Sequence, residues 1–323
     1  MKQRSFEQGR EKSWQGFAGQ LVTAKRGYRL SDVDPQDFAA QYQSVARDLS
    51  VAKSRGYSPR LIRHLNSLVV RGHSLIYARR SGYAGVFVRF LIADFPRQVR
   101  AEWRYMVVSA LLFVVPLVAM TSVIFQAPEW VYSVMSAEQA SDLEAMYDPA
   151  ARSLGRQRDS DADFQMFGFY IMNNVGISFR LFASGLLAGL GSAFFLVFNG
   201  IHLGAATGHL MNVGFGGTFL PFVVGHGSFE LTAIVLSGAA GLMLGHALVA
   251  PGAYRRIDAL RFASRRAVLI VIGAAMMLFV AAFIEAFWSS ISAVAPAVKY
   301  VVGASLWLFV FAYLIGAGRG EIR

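Results

Sequence analysis

Hydrophobic and polar positions follow two regimes along the chain. Through the first hundred residues, apolar side chains recur at helical steps among many charges. Beyond residue 105 they gather into blocks long enough to cross a bilayer. In the first regime, residues 1–27 are polar, charged and glycine-containing, and are expected to form a mobile tail. Asp34-Pro35 offers a helix start, and Phe38, Tyr42, Val45 and Leu49 follow on one face. Ser58-Pro59 restarts the pattern, with Leu61, Leu65, Leu68, Gly72 and Leu75 as a second stripe. Two amphipathic helices with facing stripes predict a helical hairpin. The stretch 83–95, ending before Pro96 and leading into Arg97, Arg100 and Arg104, reads as an elbow along the membrane surface. Hairpin and elbow together occupy residues 28–100.

The second regime, residues 101–323, predicts about six membrane spans: 105–125, 180–198, 201–224, 228–250, 268–288 and 300–316. Segment 164–178 is apolar but broken by Asn173-Asn174, and is expected to rest on the outer surface. Asn199-Gly200 is expected to turn the chain. The run Gly214-Phe215-Gly216-Gly217 weakens 201–224, which either spans or re-enters. The fold class is therefore all-α: a polytopic membrane helical bundle carrying an N-terminal cytoplasmic helical hairpin.

Charge orients this arrangement. Before residue 105 there are 19 Lys/Arg against 8 Asp/Glu, whereas the remainder has 12 of each. The whole formal excess of +11 precedes the first span, which predicts a cytoplasmic N-terminal domain beside anionic inner-leaflet lipid. No recognition motif accompanies the charge, so no nucleic-acid partner is expected. Loop 126–165 holds 8 Asp/Glu and 3 Lys/Arg and belongs outside. Arg255, Arg256, Arg261, Arg265 and Arg266 oppose only Asp258, so that loop belongs inside, three crossings later. Both termini fall in the cytoplasm of a bacterial inner-membrane protein, with the first span acting as the targeting signal. The chain has no Cys, which excludes disulfides and thiolate chemistry.

Ionisable groups inside spans are costly and mark candidate sites. His226 and Glu230 lie four residues apart on one helical face, and Glu285 lies near the end of its span. In the six-span order, Asn173, Asn174 and Arg180 join them in the outer leaflet. Two readings stay open: a solvent-open polar site for a cation, headgroup or partner, and internal neutralisation with Arg180 pairing Glu285. His226 and Glu230 supply two metal ligands, where a catalytic zinc takes three and a water. No Ser nucleophile elbow, phosphate-cradling loop or His-Glu-x-x-His helix occurs, so no catalytic residue and no cofactor is assigned. Gly185/Gly189, Gly204/Gly208 and Gly241/Gly245 are four-residue steps that permit close helix crossing, within the bundle or between two copies.

Several of these segments resemble the stage II sporulation protein M family. They are Tyr170-Ile171-Met172-Asn173-Asn174, Phe182-Ala183-Ser184-Gly185-Leu186-Leu187-Ala188-Gly189, Asn199-Gly200, Gly225-His226-Gly227-Ser228-Phe229-Glu230-Leu231, Gly238, Gly241-Leu242 and Ile284-Glu285-Ala286-Phe287. The hairpin, with Leu65-Asn66-Ser67-Leu68 and His73-Ser74-Leu75-Ile76-Tyr77, resembles that family's longer branch in bacteria that need not sporulate. The resemblance implies a septal-membrane scaffold for cell-wall-cleaving enzymes in endospore formers. The longer branch tends to be encoded beside MoxR-type ATPases and von Willebrand-type proteins, so the resemblance implies a membrane subunit of a multi-protein assembly, with a MoxR-type ATPase or cell-wall enzymes as partners. The function expected is thus a non-enzymatic inner-membrane scaffold. The alternatives are a small transporter or lipid-handling protein using the His/Glu site, and an intramembrane metal-dependent hydrolase.

Overall fold

The computed structural model describes residues 3–25, 35–77, 83–150 and 163–320. The side chain of Leu75, the middle of the acidic loop and Arg323 lie outside the described residues. The chain divides into two compact units, residues 1–86 and 87–323.

Among the described residues, the first unit holds α1 Gln3–Lys25, α2 Pro35–Ser54 and α3 Pro59–Tyr77. The expected polar tail is instead α1. Its Phe6, Trp14, Phe17 and Leu21 form one stripe that packs against Val45, Leu49, Leu61, Leu65 and Leu68 of the other two helices. Arg10, a turn before Trp14, interrupts that stripe in sequence, and its guanidinium reaches Asp48 at 3.7 Å. The indole N–H of Trp14 donates to Asp48 at 2.9 Å, so this buried carboxylate is partnered from inside. Gly72 keeps the helices close: a Cβ there would come within 2.8 Å of Phe17 and 2.9 Å of Tyr42.

The division at Val86/Phe87 falls within α4 Tyr83–Arg89, which is followed by a π-helical turn Phe90–Asp94 and α5 Phe95–Ala101. From Phe87 onward the elbow belongs to the bundle rather than to the hairpin domain. After it come α6 Trp103–Gln126, a 3₁₀ turn Pro128–Ser133, α7 Ala137–Tyr147 and α8 Asp163–Ala183. The rest is α9 Leu190–Asn212, α10 Gly216–Val249, α11 Arg256–Ile284 with a π-helical turn Glu285–Ser289, and α12 Pro296–Gly316. Among the described residues, five helices are long and apolar enough to cross a membrane: α6, α9, α10, α11 with its π turn, and α12.

Between α6 and α9 runs α8, whose 21 residues cover about 32 Å at 1.5 Å per residue. Its Met166 and Tyr170 pack on Ala282 and Ala286 near the end of α11. Its last turn reaches the other end of the bundle, where the Leu181 carbonyl accepts a hydrogen bond from Ser192 at 2.5 Å. The helix therefore traverses the bundle instead of resting on one surface. Three helices (α8, α9 and α10) lie between the acidic loop and the Arg255 loop, of which α9 and α10 are long and apolar enough to span, and they are not the three segments expected. The chain turns at 184–189, inside the expected span 180–198. Asn199 and Gly200 lie within α9 rather than at a turn, and 201–224 is split by the turn at 213–215. Hydropathy smoothed over both turns because Leu186, Leu187 and Phe215 are themselves apolar.

Glycine decides where helices meet. Along α9, a Cβ on Gly200, Gly204 or Gly208 would strike the backbone carbonyls of Phe113, Leu117 and Thr121. Hence α6 and α9 lie side by side in the same direction. Gly185 and Gly189 are not a ridge on a helix but the two ends of the tight turn. Gly189 takes φ +83°, a left-handed backbone that suits glycine, and the turn lies on Gly241 and Gly245 of α10. All six glycines are thus occupied inside one bundle, and none of these contacts needs a second copy.

Two arginines of α5 fasten the end of α12. Arg100 donates to the carbonyls of Leu314 and Ala317, both at 2.7 Å, and Arg97 donates to Gly318 and Gly320. A helix leaves its last carbonyls unpaired and carries partial negative charge there, so cations at this end serve as caps. Burial, then Arg319 and Arg97, hold the Arg100 guanidinium below its usual range, although an arginine stays charged. Arg100→Ala should cost about 1.5–3 kcal/mol, the range for hydrogen bonds to a charged group. Hydrogen exchange should show this as faster exchange confined to the last turns of α12.

Candidate functional site

The residues of interest lie where the first half of α10 meets the end of α11. In α10, His226 and Glu230 are separated by one turn and face the same side, with Nε2 of the imidazole 3.8 Å from a Glu230 carboxylate oxygen. In the π turn, Glu285 and Ser289 bear the same four-residue relation. The two helices run in opposite directions, so the pairs meet as a ladder. His226 Nδ1 lies 3.0 Å from the Ser289 hydroxyl, while His226, Glu230 and Glu285 offer ligand atoms all within 4.8 Å of one another. Gly225 packs beside Ile284 and Trp288, where a Cβ would make only ordinary contact at 3.6 and 3.9 Å. The π turn holds Glu285, Ala286 and Ser289 together on the buried face. Such turns recur at functional sites, where they re-aim side chains.

Two participants were not apparent in sequence. Ser289 bridges to His226 through its hydroxyl, and its backbone carbonyl accepts from the Lys299 ammonium at 2.7 Å. Lys299 is only 2% exposed. It stands one turn before Gly303, whose missing side chain leaves room for Val224 of α10. The available signal was spacing: Lys299, Gly303, Val310 and Leu314 fall on one buried stripe of α12. A lysine on the packing stripe of a span, rather than off it, deserved the same notice as a buried carboxylate.

The six expected residues are only partly brought together. His226, Glu230 and Glu285 converge. Asn174 is buried on the face of α8 that also presents Tyr170 and Ser178, whereas Asn173 is exposed and donates to the Asn174 side chain at 2.9 Å. Arg180 is elsewhere: it is exposed, ten residues or about 15 Å along α8 from Tyr170. Its guanidinium folds back toward Gly176 rather than toward Glu285. The expected outer-leaflet position of Arg180 assumed that α8 ended before it. The remaining histidines of the bundle have separate settings. His209 lies in the last turn of α9 and meets Glu144 of α7 at 2.7 Å. His246 is hydrogen-bonded to Tyr105, and His202 stacks on Phe198.

Comparison with known families places this geometry. The family described as Stage II sporulation protein M matches residues 106–290, more than half of the chain. The chain belongs to the stage II sporulation protein M family. A domain of unknown function matches residues 4–78, almost the whole of the three-helix unit. No curated protein and no solved structure matches. The stage II sporulation protein M match spans α6 through the π turn and so contains His226, Glu230, Glu285 and Ser289, while Lys299 and the rest of α12 lie beyond it.

Proposed function

We propose that this chain is a non-enzymatic membrane scaffold, a subunit that holds partner proteins at a bacterial inner membrane. The observation that carries this reading is the division of the chain. A three-helix unit with its own aromatic core is joined to a membrane bundle that buries His226, Glu285 and Lys299. Such a unit is a folded docking module on an anchor. Burial of His226 and Glu285, 4% and 9% exposed beside a partly buried Glu230, supports the same reading, because it leaves little room for a soluble substrate. A cavity of about 710 Å³ in the bundle lies apart from the carboxylates, lined by apolar residues such as Phe95, Met276, Phe279 and Phe309. The basic N-terminal unit and both termini face the cytoplasm in this reading, by the positive-inside rule. A MoxR-type ATPase is then the partner class for the three-helix unit, and cell-wall enzymes for the acidic loop.

The test is purification of the full chain from native membranes in mild detergent, beside Glu230→Gln. A stoichiometric set of co-purifying proteins, retained by the variant, is the expected result. A solitary chain whose Glu230→Gln form loses a measurable transport or hydrolytic activity would overturn the scaffold reading.

A further inference from the structure

We propose that His226, Glu230 and Glu285 form a binding site for one divalent transition-metal ion of the zinc class, clasping α10 to the end of α11. The inference is independent of the scaffold reading. Three kinds of observation support it: the donor set, its spacing and its outer support.

The donor set is one imidazole and two carboxylates. Zinc takes four ligands from such groups, often three from protein and one from water. Calcium and magnesium prefer six or more oxygens in rings of carboxylates, carbonyls and water, to which an imidazole adds little. The spacing is close to what coordination needs. Donor atoms around a zinc at about 2.0–2.2 Å sit roughly 3.3 Å apart. Here the three are within 4.8 Å before any ion draws them in. The imidazole–carboxylate separation of 3.8 Å is too long for a hydrogen bond. Glu side chains have the torsional freedom to close such a gap, and the four-residue spacing on α10 already puts both of its donors on one face.

The outer support is Ser289. A metal-bound imidazole needs its second ring nitrogen held by a hydrogen bond, which fixes the ring plane and aims the other nitrogen at the ion. With Nδ1 held by Ser289 at 3.0 Å, Nε2 points toward Glu230. The Ser289 carbonyl is in turn fixed by Lys299, so three helices converge on the orientation of one ring. A cation between two carboxylates this close would favour the ionised form of both inside the bundle. The ion's role is to hold together two helices of a membrane bundle, in which apolar surfaces alone supply no preference for protein over lipid.

The experiment uses the untagged full chain in detergent, equilibrated with zinc at controlled free concentration and measured for bound metal and thermal unfolding. One equivalent of zinc and a rise in unfolding temperature are expected. Glu230→Gln and Glu285→Gln should each abolish stoichiometric binding and the thermal shift. Ser289→Ala, which removes only the support, should weaken affinity by about 10- to 100-fold. A control replacing the exposed His64 and His73 of α3 by alanine should leave binding unchanged. Should the carboxylate variants fail to fold, the cobalt-loaded wild type must show visible absorption of four-coordinate nitrogen/oxygen ligation that zinc displaces. The proposal is overturned by a wild type that takes up no stoichiometric zinc, by binding that survives both glutamine substitutions, by binding lost with His64 and His73, or by the lack of a cobalt spectrum.

Discussion

Gly241→Leu is expected to prevent the bundle from forming, so that the chain is degraded or recovered only as aggregate. The position sits where the turn at 184–189 is pressed onto α10. Even a Cβ at Gly241 would overlap the Ser192 hydroxyl and the Leu181 carbonyl, and Gly185 lies against the Gly241 backbone from the other side. Most overpacked sites relieve themselves by rotating a flexible neighbour, at about 1–3 kcal/mol. Here the obstructing atoms are backbone, together with a hydroxyl already donating to Leu181 at 2.5 Å, so relief would require α8 and α10 to separate. The cost should exceed that range and consume much of a typical stability of about 5–15 kcal/mol. Gly217→Leu is the matched control: it lies on the same helix, and a Cβ there meets nothing within 4 Å. Detergent-solubilised yield and unfolding temperature should fall sharply for the first variant and stay near wild type for the second. Equal behaviour of the two would mean that the turn does not pack on α10 in this way.

The same turn marks the limit of what was legible in the sequence. The all-α membrane class, the apolar blocks of α6 and α11 and the two stripes of α2 and α3 follow from periodicity and segment length, which are local properties. The turn at Ala188-Gly189 is not local in that sense. Its residues are apolar and it is held by glycines more than fifty positions away, so a hydropathy window runs straight across it. The site was legible for a similar reason in part only. His226 and Glu230 share a helix, and Glu285 is conspicuous as a carboxylate in an apolar run. Ser289 and Lys299, by contrast, matter through pairings across helices: the hydroxyl to His226 and the ammonium to the Ser289 carbonyl. Arg180 shows the converse error. A misplaced turn moved it to the wrong end of α8, and an attractive charge pairing followed from the misplacement. In α1 the confusion was compositional, since Gly9, Gly16 and Gly19 suggested a flexible tail while Phe6, Trp14, Phe17 and Leu21 carried a core.

That core makes Trp14→Ala the sharpest way to separate the two units. Trp14 is 4% exposed, packs at a tilt against Phe6 at 5.7 Å between ring centroids and donates to Asp48. Removing a buried tryptophan from a small core costs about 3–5 kcal/mol, and the truncation also strips a hydrogen bond from a buried carboxylate. A three-helix unit of this size has little reserve against such a loss. In the full chain, α1–α3 should therefore exchange their amide hydrogens at rates near those of an unfolded segment, while α8–α12 keep their protection. Trp14→Phe keeps a smaller aromatic ring but not the donor, and should produce a smaller loss, of about 1–3 kcal/mol. If the three-helix unit is the docking module of the proposed scaffold, partners recovered with the wild type should vanish with Trp14→Ala and return with Trp14→Phe. Partners that remain bound while α1–α3 are unfolded would assign recruitment to the bundle or its acidic loop instead. An undisturbed exchange pattern in Trp14→Ala would contradict the packing of α1 itself.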